Sequence, residues 1–260
     1  RRALESAGCG RVNARAPEIL VMCGSLAEDV ATLVEAGLVP VVWTQEQVDC
    51  LRGTRSRVHV EVDTGMSRQG VEAGAALDAL LATIASAGLV VDGVFTHLCC
   101  SEVLGSELTR TQERRFEAAV AQVKARGLEV RWLHAGNSSS VDNPGQEGPW
   151  LAELAKTVGA RGLVRCGLAL YGYCLEIVGG GPGRLQGRLQ PVMEWKTRVL
   201  AVRELKAGDT VGYGATFRAA GAMRIALLGA GYWDGLRREL SGVNAGGEEH
   251  AGGWVMVRGQ

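Results

Sequence analysis

Short apolar, β-branched runs alternate with helical segments through the first two-thirds of the chain. The runs occupy residues 19–22, 39–43, 58–62, 90–96, 128–133 and 163–166. Between them, apolar residues recur at helical spacing, as at Leu77, Leu80, Leu81 and Ile84, and residues 107–126 form a long charged segment with an apolar stripe. This alternation is typical of parallel βα units.

Local signals support the helices. Thr44 and Gln47 have the spacing of a capping box, and Gly37 and Gly127 are placed to end helices in the left-handed conformation. A first helix is predicted over residues 2–7.

The alternating region ends near residue 175 with six strands, whereas a closed (β/α)₈ barrel has eight strands in about 250 residues. The sequence therefore predicts an α/β fold in which residues 1–178 form a partial TIM-like barrel, with about six of the eight strands. The missing units are expected on the N-terminal side.

After the glycine-rich run 179–183 the pattern changes to β runs without helices between them. These runs are residues 192–203, 210–217, 223–228 and 254–257, with an exposed loop predicted over 246–253. Residues 190–260 are predicted to form part of a mostly β domain. The glycine run lacks the Lys-Ser/Thr ending and following helix of a phosphate loop, which favours a flexible linker.

Composition removes several function classes. The chain has 28 basic and 28 acidic residues and no net charge, so nothing indicates binding to nucleic acid or to an anionic membrane. The most apolar window, residues 75–91, contains Asp78 and has amphipathic spacing, so no membrane segment is predicted.

The seven cysteines have neither regular spacing nor a C-x-x-C motif, which argues against a disulfide framework and a zinc site. A reducing, cytoplasmic location is expected. The adjacent Cys99 and Cys100 are compatible with a reactive dithiol, but packing thiols after a buried strand are the favoured interpretation.

Polar residues follow several of the predicted strands. Arg68, His97, Asn137, Ser138 and Arg165 each lie at or just after a strand end. Because active groups of α/β barrels gather at the carboxyl ends of the strands, these side chains are expected to converge on one mouth. Each alone has a structural explanation, as a surface turn, a buried histidine, a helix cap or an ion-pair member; their joint order favours a site.

Five ordered motifs resemble those of the alanine racemase family, whose enzymes use pyridoxal phosphate (PLP). The motifs are HVEVDTGMSRQG at 59–70, TH at 96–97, HAGNS at 134–138, VRCGLALYG at 164–172 and GYGAT at 212–216. They extend over most of the chain. The resemblance implies a PLP-binding barrel followed by the family's β domain, and a chain that is incomplete at both ends.

The resemblance also assigns roles around the cofactor ring. Arg165 would face the pyridine nitrogen and, as a permanent donor, keep it unprotonated. Tyr213 would be one of two catalytic bases, assisted by a relay through His97 to Arg165, because an unperturbed tyrosine pKa near 10 is too high for easy proton abstraction. In the family this tyrosine reaches the partner subunit's site, which implies a head-to-tail homodimer.

The phosphate of PLP would be held by the backbone N–H groups of Gly167 and Leu168 and by the Ser138 hydroxyl, with Asn137 in the same cofactor-binding set. Cys166 stands where the family more usually has proline.

Arg68 matches the arginine that contacts the cofactor phenolate oxygen. Several relatives hold that arginine with a carbamylated lysine, and Glu61 occupies this position here. A direct Glu61–Arg68 pair is therefore predicted. The segment GYWDG at 231–235 resembles a family segment near the substrate entrance, with Trp233 either altering substrate size preference or packing in a core or interface.

The chain has four lysines, Lys124, Lys156, Lys196 and Lys206, predicted on two helices, a strand and a turn. None fits the family's Schiff-base lysine, so we expect the chain to be a fragment that is inactive alone. The implied reaction is two-base racemisation of L-alanine to D-alanine, or of serine, which supplies D-alanine for peptidoglycan. A truncated non-catalytic pseudoenzyme and a related barrel-type PLP amino-acid decarboxylase remain as alternatives.

Overall fold

A computed structural model describes residues 17–145 and 150–237. The chain divides into two compact units, Arg1–Val192 and Met193–Gln260. The predicted helix 2–7, the loop 246–253 and the strand 254–257 lie outside the described residues. Within the described ranges, no helix has the length and apolar character needed to cross a membrane.

The first unit contains one six-stranded parallel sheet that curls into a half-barrel, which confirms the predicted α/β architecture. Its neighbouring strands follow chain order: β1 (Leu20–Val21), β2 (Val39–Val42), β3 (Arg57–Glu61), β4 (Val90–Phe95), β5 (Trp132–His134) and β6 (Arg161–Leu163). Since every strand is parallel to the next, all six carboxyl ends lie at the same edge.

Helices connect the strands. They are α1 (Val30–Glu35), α2 (Gln45–Cys50), α3 (Ala75–Ser86), α4 (Glu107–Ala125), α5 (Ser138–Asp142) and α6 (Trp150–Thr157), with short 3₁₀ turns at Ala27–Asp29 and Leu168–Tyr171. The capping box of Thr44 and Gln47 is present at α2. Gly37 and Gly127 have positive φ angles of 60° and 68° after α1 and α4, as predicted.

Alternation along β3 separates an apolar face from a polar face. Val58 and Val60 pack in the main hydrophobic core with the helices, together with Leu77, Leu80, Leu81 and Ile84 of α3 and Phe116, Ala119, Val120 and Val123 of α4. His59 and Glu61, although also buried, lie outside that core. Side chains two residues apart share a face of a strand, so these two groups face the interior of the half-barrel.

Two strand predictions are displaced by the pairing of the sheet. The strand predicted at 128–133 is β5, which begins at Trp132 because Trp132 pairs with Gly93 of β4. The strand predicted at 163–166 is β6, which ends at Leu163; Arg165 has left the ladder, and its N–H donates to the carbonyl of Gly136 at 3.2 Å.

The glycine run 179–183 is held at its C-terminal end by contacts with Asp142 and is not a free linker. The backbone N–H groups of Arg184 and Leu185 donate to Asp142, at 2.8 and 2.6 Å. A Cβ atom at Gly183 would lie 2.2 Å from the Asp142 carboxylate, so only glycine fits there.

The second unit contains β7 (Val199–Leu205), paired antiparallel with β10 (Met223–Leu228), and β8 (Thr210–Val211), paired antiparallel with β9 (Phe217–Arg218). The strand predicted over 192–203 thus begins later. The strand predicted over 210–217 is interrupted by a 3₁₀ turn at Tyr213–Ala215, because Gly212, Gly214 and Ala215 have positive φ angles that an extended strand cannot contain.

Candidate functional site

The turn after β3 is built to present Arg68. The Asp63 carboxylate accepts hydrogen bonds from the N–H groups of Gly65, Met66 and Ser67, at 2.9, 3.0 and 3.1 Å. The turn then closes on Gly70, where a Cβ atom would lie 2.6 Å from the backbone nitrogen of Asp63. Because its backbone donors are satisfied locally, the turn is a defined support for an arginine at the barrel mouth.

Arg165 connects the ends of β4, β5 and β6. Its Nη1 donates to Nδ1 of His134 at 2.9 Å. Its Nη2 donates to the carbonyl of Thr96 at 2.9 Å and to Nδ1 of His97 at 3.1 Å. The guanidinium carbon lies 4.8 Å from the centre of the Phe95 ring, within cation–π distance. The Nε atom is buried and has no partner within the described part of the chain.

These contacts fix the protons on the buried imidazoles. Arginine has no acceptor, so Nδ1 of His134 must accept and the neutral ring carries its proton on Nε2. That Nε2 lies 2.7 Å from Nδ1 of His59, which therefore accepts. The proton of neutral His59 is then on Nε2, which lies 3.6 Å from the Asp92 carboxylate. The same reasoning places the proton of His97 on its free Nε2.

The electrostatics keep these histidines neutral at pH 7. Burial lowers the pKa of His97 to about 4, with further lowering by Arg165 and Arg68. Burial, followed by Arg165 and His59, holds the pKa of His134 well below its usual range. Burial also lowers the pKa of Arg165 to about 10, against the opposing effect of Glu61. At neutral pH Arg165 is thus a cation surrounded by neutral acceptors.

The predicted Glu61–Arg68 pair is replaced by another contact. The side-chain amide of Gln69 donates a short hydrogen bond to the Glu61 carboxylate and a second bond of 2.9 Å to the carbonyl of Met22. Among the described residues no hydrogen bond or ion pair joins Glu61 to Arg68, and Arg68 acts on this carboxylate only through its charge. Burial raises the pKa of Glu61, against Gln69, Arg165 and Arg68.

Asn137 and Ser138 hold the backbone together where β5 and β6 end. Asn137 caps α5, its side chain accepting from the N–H of Ser140 at 3.1 Å, and it donates to the carbonyl of Leu98 at 3.2 Å. The adjacent Ser138 hydroxyl accepts from the N–H groups of Gly167 and Ala169, at 3.2 and 3.0 Å. The 3₁₀ helix that begins at Leu168 brings the N–H of Ala169 to the Ser138 hydroxyl beside that of Gly167.

The buried side-chain amide of Gln112 forms hydrogen bonds to two segments of the mouth. Gln112 of α4 donates to the hydroxyl of Thr64 at 3.2 Å and to the carbonyl of His97 at 2.9 Å. The Thr64 hydroxyl is also 2.7 Å from that of Thr96. Gln112 therefore ties the Arg68 turn to the segment that carries His97.

An ion cluster lies beneath His59, at the opposite end of the strands. This lower ion cluster consists of Glu18, Arg57, Asp92 and Arg131, with Arg131 2.7 Å from Asp92 and 2.5 Å from Glu18. A polar chain therefore extends from Glu18 through Arg131, Asp92, His59 and His134 to Arg165. The alternation of β3 could have indicated His59, since it shares a face with Glu61, and His134 directly follows the strand predicted over 128–133; Gln112 had no comparable signal.

The structure thus joins His97 to Arg165 and Ser138 to Gly167, with Asn137 capping beside them and Arg68 acting through its charge. Tyr213 belongs to the second unit, on the 3₁₀ turn, and is 86% exposed rather than packed in a β core. Trp233 lies on another 3₁₀ turn, at Tyr232–Asp234, and is 92% exposed. Neither aromatic residue is a core residue of its unit.

Two of the four lysines, Lys124 and Lys156, belong to the first unit. Lys124 and Lys156 are on α4 and α6, as predicted, and Lys206 is in the turn after β7. Lys196 lies ahead of β7, not on a strand, because β7 begins only at Val199. Within the described residues of the first unit, neither Lys124, which donates to the carbonyl of Thr157, nor Lys156 takes part in the contacts that build the site.

A curled parallel half-barrel with an arginine–histidine cluster at its strand ends belongs to the class of α/β barrel proteins that hold a small-molecule site at the carboxyl edge. Comparison with known proteins makes this more specific. Residues 3–174 match the model for the alanine racemase N-terminal domain, and residues 192–260 match that for the C-terminal domain. The chain belongs to the alanine racemase family.

Individual relatives agree. An alanine racemase of Desulfosudis oleivorans is 31% identical over 258 residues, covering 93% of this chain and 60% of the relative. One of Symbiobacterium thermophilum is 36% identical over 191 residues, covering 73% of this chain and 46% of the relative. The solved alanine racemase of Streptomyces coelicolor A3(2) has a TM-score of 0.72 at 26% identity, covering 93% of this chain and 61% of that protein. The chain thus spans about 60% of the length of these relatives, or less.

Proposed function

We propose that this chain carries a PLP site for the interconversion of L- and D-alanine by two proton-transferring bases. The observation that carries the proposal is the buried Nε–H of Arg165, which has no partner among residues 17–145 and 150–237 while both Nη atoms are engaged. An unpaired buried donor costs free energy, so the site fits a ligand that offers one acceptor there. The pyridine nitrogen of PLP is such an acceptor.

The residues present also fit the phosphate and the ring oxygen of PLP. Gly167 and Ala169 direct backbone N–H groups toward the Ser138 hydroxyl, and a Cβ atom at Gly167 would meet open space. A bound phosphate would take these two donors over from the Ser138 hydroxyl, and backbone N–H groups suit an anion because they need no counter-charge. Arg68 on its closed turn is the proposed partner of the cofactor phenolate oxygen, with Leu168 and Asn137 beside the phosphate.

When bound, PLP would make the Cα proton of an amino acid more acidic by delocalising the electron pair that remains. Arg165 would hold the pyridine nitrogen in its unprotonated form, because a guanidinium donates and does not give up its proton at neutral pH. This arrangement limits delocalisation and favours reprotonation over loss of the carboxylate. It therefore supports a racemase over the alternative decarboxylase.

We further propose that Tyr213 from a second copy of the chain is one of the bases. Neutral His97 accepts from Arg165 at Nδ1, and its Nε2–H has no acceptor among the described residues, so it can donate to a phenolate and stabilise it. The 86% exposure of Tyr213 is consistent with a role outside its own unit. Alanine as substrate, a head-to-tail homodimer, cytoplasmic location and D-alanine supply for peptidoglycan follow from the family relationship as parts of this proposal.

One observation favours a second candidate function. Among the described residues of the first unit, neither Lys124 on α4 nor Lys156 on α6 contacts the site residues, although the proposed reaction requires a lysine as the other base and as the covalent anchor of PLP. A barrel that binds PLP, or a partner, without catalysis is therefore the alternative.

The two functions are separated by measuring PLP binding and racemisation independently. Equilibrium dialysis should show PLP binding to the chain, weakened about 10- to 100-fold by Arg165→Leu. Arg161→Leu, an arginine of β6 that instead stacks on Trp132, is the matched control and should leave binding unchanged. Equal binding by both variants would overturn the cofactor site.

Racemisation is then followed by the formation of D-alanine from L-alanine, using the product of the complete reading frame. Activity that is lost with Tyr213→Phe supports the racemase. Binding of PLP with no racemisation would instead support the non-catalytic alternative.

A further inference from the structure

The adjacent cysteines at the mouth form a paired-thiol arrangement that the proposed function does not use. Cys99 and Cys100 follow His97 closely, and their sulfur atoms lie 3.8 Å apart. Successive side chains of an extended strand point to opposite faces, so this approach requires the chain to bend after β4. Both thiols are free and partly exposed.

Neither thiol is arranged as an isolated nucleophile. Burial and the neighbouring Cys100 raise the pKa of Cys99, which keeps it protonated at neutral pH and slows its reaction with a reagent that forms one bond. A reagent that binds both sulfurs behaves differently, because the second bond forms within the same complex and at a high effective concentration.

Gln112 links this pair to the candidate site. The Cys99 thiol and its backbone N–H both donate to the side-chain oxygen of Gln112, at 3.3 and 3.0 Å. The amide nitrogen of the same Gln112 donates to Thr64 and to the carbonyl of His97. Loss of the thiol proton therefore removes one of two donors that orient this amide.

We propose that Cys99 and Cys100 together are a binding site for soft, thiol-seeking groups of the trivalent arsenical class, and that occupancy loosens the Gln112 bridge to the Arg68 turn. With phenylarsonous acid, each thiol displaces one hydroxyl from arsenic. Two As–S bonds form, two As–O bonds break, two water molecules leave, and arsenic remains trivalent. The soft ligand preference of arsenic matches sulfur donors.

Intact-mass spectrometry of the folded chain tests the site with phenylarsonous acid. One adduct is expected that resists excess glutathione and is removed by 2,3-dimercaptopropanol. Cys99→Ser and Cys100→Ser should each weaken the adduct about 100-fold, because a single sulfur loses the second bond. The double variant Cys166→Ser/Cys174→Ser is the matched control, since these are partly exposed cysteines of the same unit, and should retain it.

Thermal melting verifies that each variant folds. Cys100→Ala is a further variant for the same test, because it removes one sulfur while the hydrogen bonds of Cys99 to Gln112 remain. An adduct that persists in either serine variant, or no adduct on the folded chain, would overturn the site. Amide hydrogen exchange tests the coupling: the arsenical should speed exchange at Cys99 and in residues 64–68, and unchanged exchange would overturn that part. Neither readout depends on PLP or racemase activity.

Discussion

Nδ1 of His59 and Nε2 of His134 lie 2.7 Å apart, and this one hydrogen bond connects the lower ion cluster to Arg165. Asp92 orients the proton of His59 from one end, while Arg165 forces His134 to accept from the other. Both ends therefore require the same direction for the hydrogen bond between the two neutral rings, with His134 as the donor and His59 as the acceptor. The orientation of Arg165 is therefore supported by residues at the far end of the strands.

Replacing His59 with leucine should destabilise the first unit by about 1–3 kcal/mol, because the buried Nε2–H of His134 loses its acceptor. Urea unfolding followed by circular dichroism measures the loss. His59→Gln, which keeps an acceptor on a side chain of similar length, should lose less. Wild-type stability in His59→Leu would mean that the imidazole pair contributes nothing.

Gly93 provides the space that the His59 ring occupies. The two residues are paired in neighbouring strands, and a Cβ atom at Gly93 would lie 2.6 Å from the ring atoms Cε1 and Nδ1. Gly93→Ala should cost about 1–3 kcal/mol through overpacking. Gly181→Ala is the control, since a Cβ atom there meets nothing within 4 Å, and an equal loss in both variants would contradict the explanation.

The buried histidines should make the fold sensitive to acid. The pKa of both His59 and His97 is lowered to about 4, mainly by burial, from an ordinary value of 6.5. Between these values the unfolded chain binds more protons than the folded chain, so the stabilisation is complete above pH 6.5 and is lost as the pH falls toward 4.

Unfolding free energies from pH 7 to pH 4 measure this loss. His97→Asn should show a shallower decline than the wild type, since one proton-binding group is removed. Parallel pH profiles for the two proteins would show that His97 is not held neutral in the folded state.

The sequence was sufficient for the architecture and for part of the site. Strand ends predicted that His97 and Arg165 would meet, because parallel strands bring their carboxyl ends to one edge whatever their exact bounds. The bounds of β5 and β6 differ from the predicted ones, because they depend on pairing with neighbouring strands, which sequence periodicity does not encode.

Contacts chosen among competing polar side chains were less predictable. The family resemblance and the charge of Glu61 favoured Arg68 as its partner, but the side chain that reaches Glu61 is neutral Gln69, whose amide also donates to the carbonyl of Met22, just after β1. Tyr213 was expected within a strand, and the positive φ angles of its neighbours place it on an exposed turn. Both outcomes depend on backbone geometry that forms only when the elements pack.

Titration of Glu61 should change the free energy of unfolding with pH in the opposite direction to titration of the histidines. It is only 2% exposed, and burial raises its pKa above the ordinary value of 4.5 despite Gln69, Arg165 and Arg68. The folded state therefore retains this proton to a higher pH than the unfolded state. The corresponding stabilisation is present below about pH 4.5 and is lost as the pH rises through the raised value.

Glu61→Gln removes that titration while retaining an oxygen for Gln69, so its stability relative to the wild type should improve between pH 4 and pH 8. Glu107→Gln is a control for which the opposite pH dependence is expected. Hydrogen bonds from Arg110 and Arg114 lower the pKa of the exposed Glu107, so the stability of the wild type relative to this variant should increase slightly as the pH rises. Urea unfolding at both pH values measures each difference. If the difference in unfolding free energy between Glu61→Gln and the wild type is the same at both pH values, the folded protein holds the ionised carboxylate without penalty. Arg68 and Arg165 would then fully compensate the burial of Glu61.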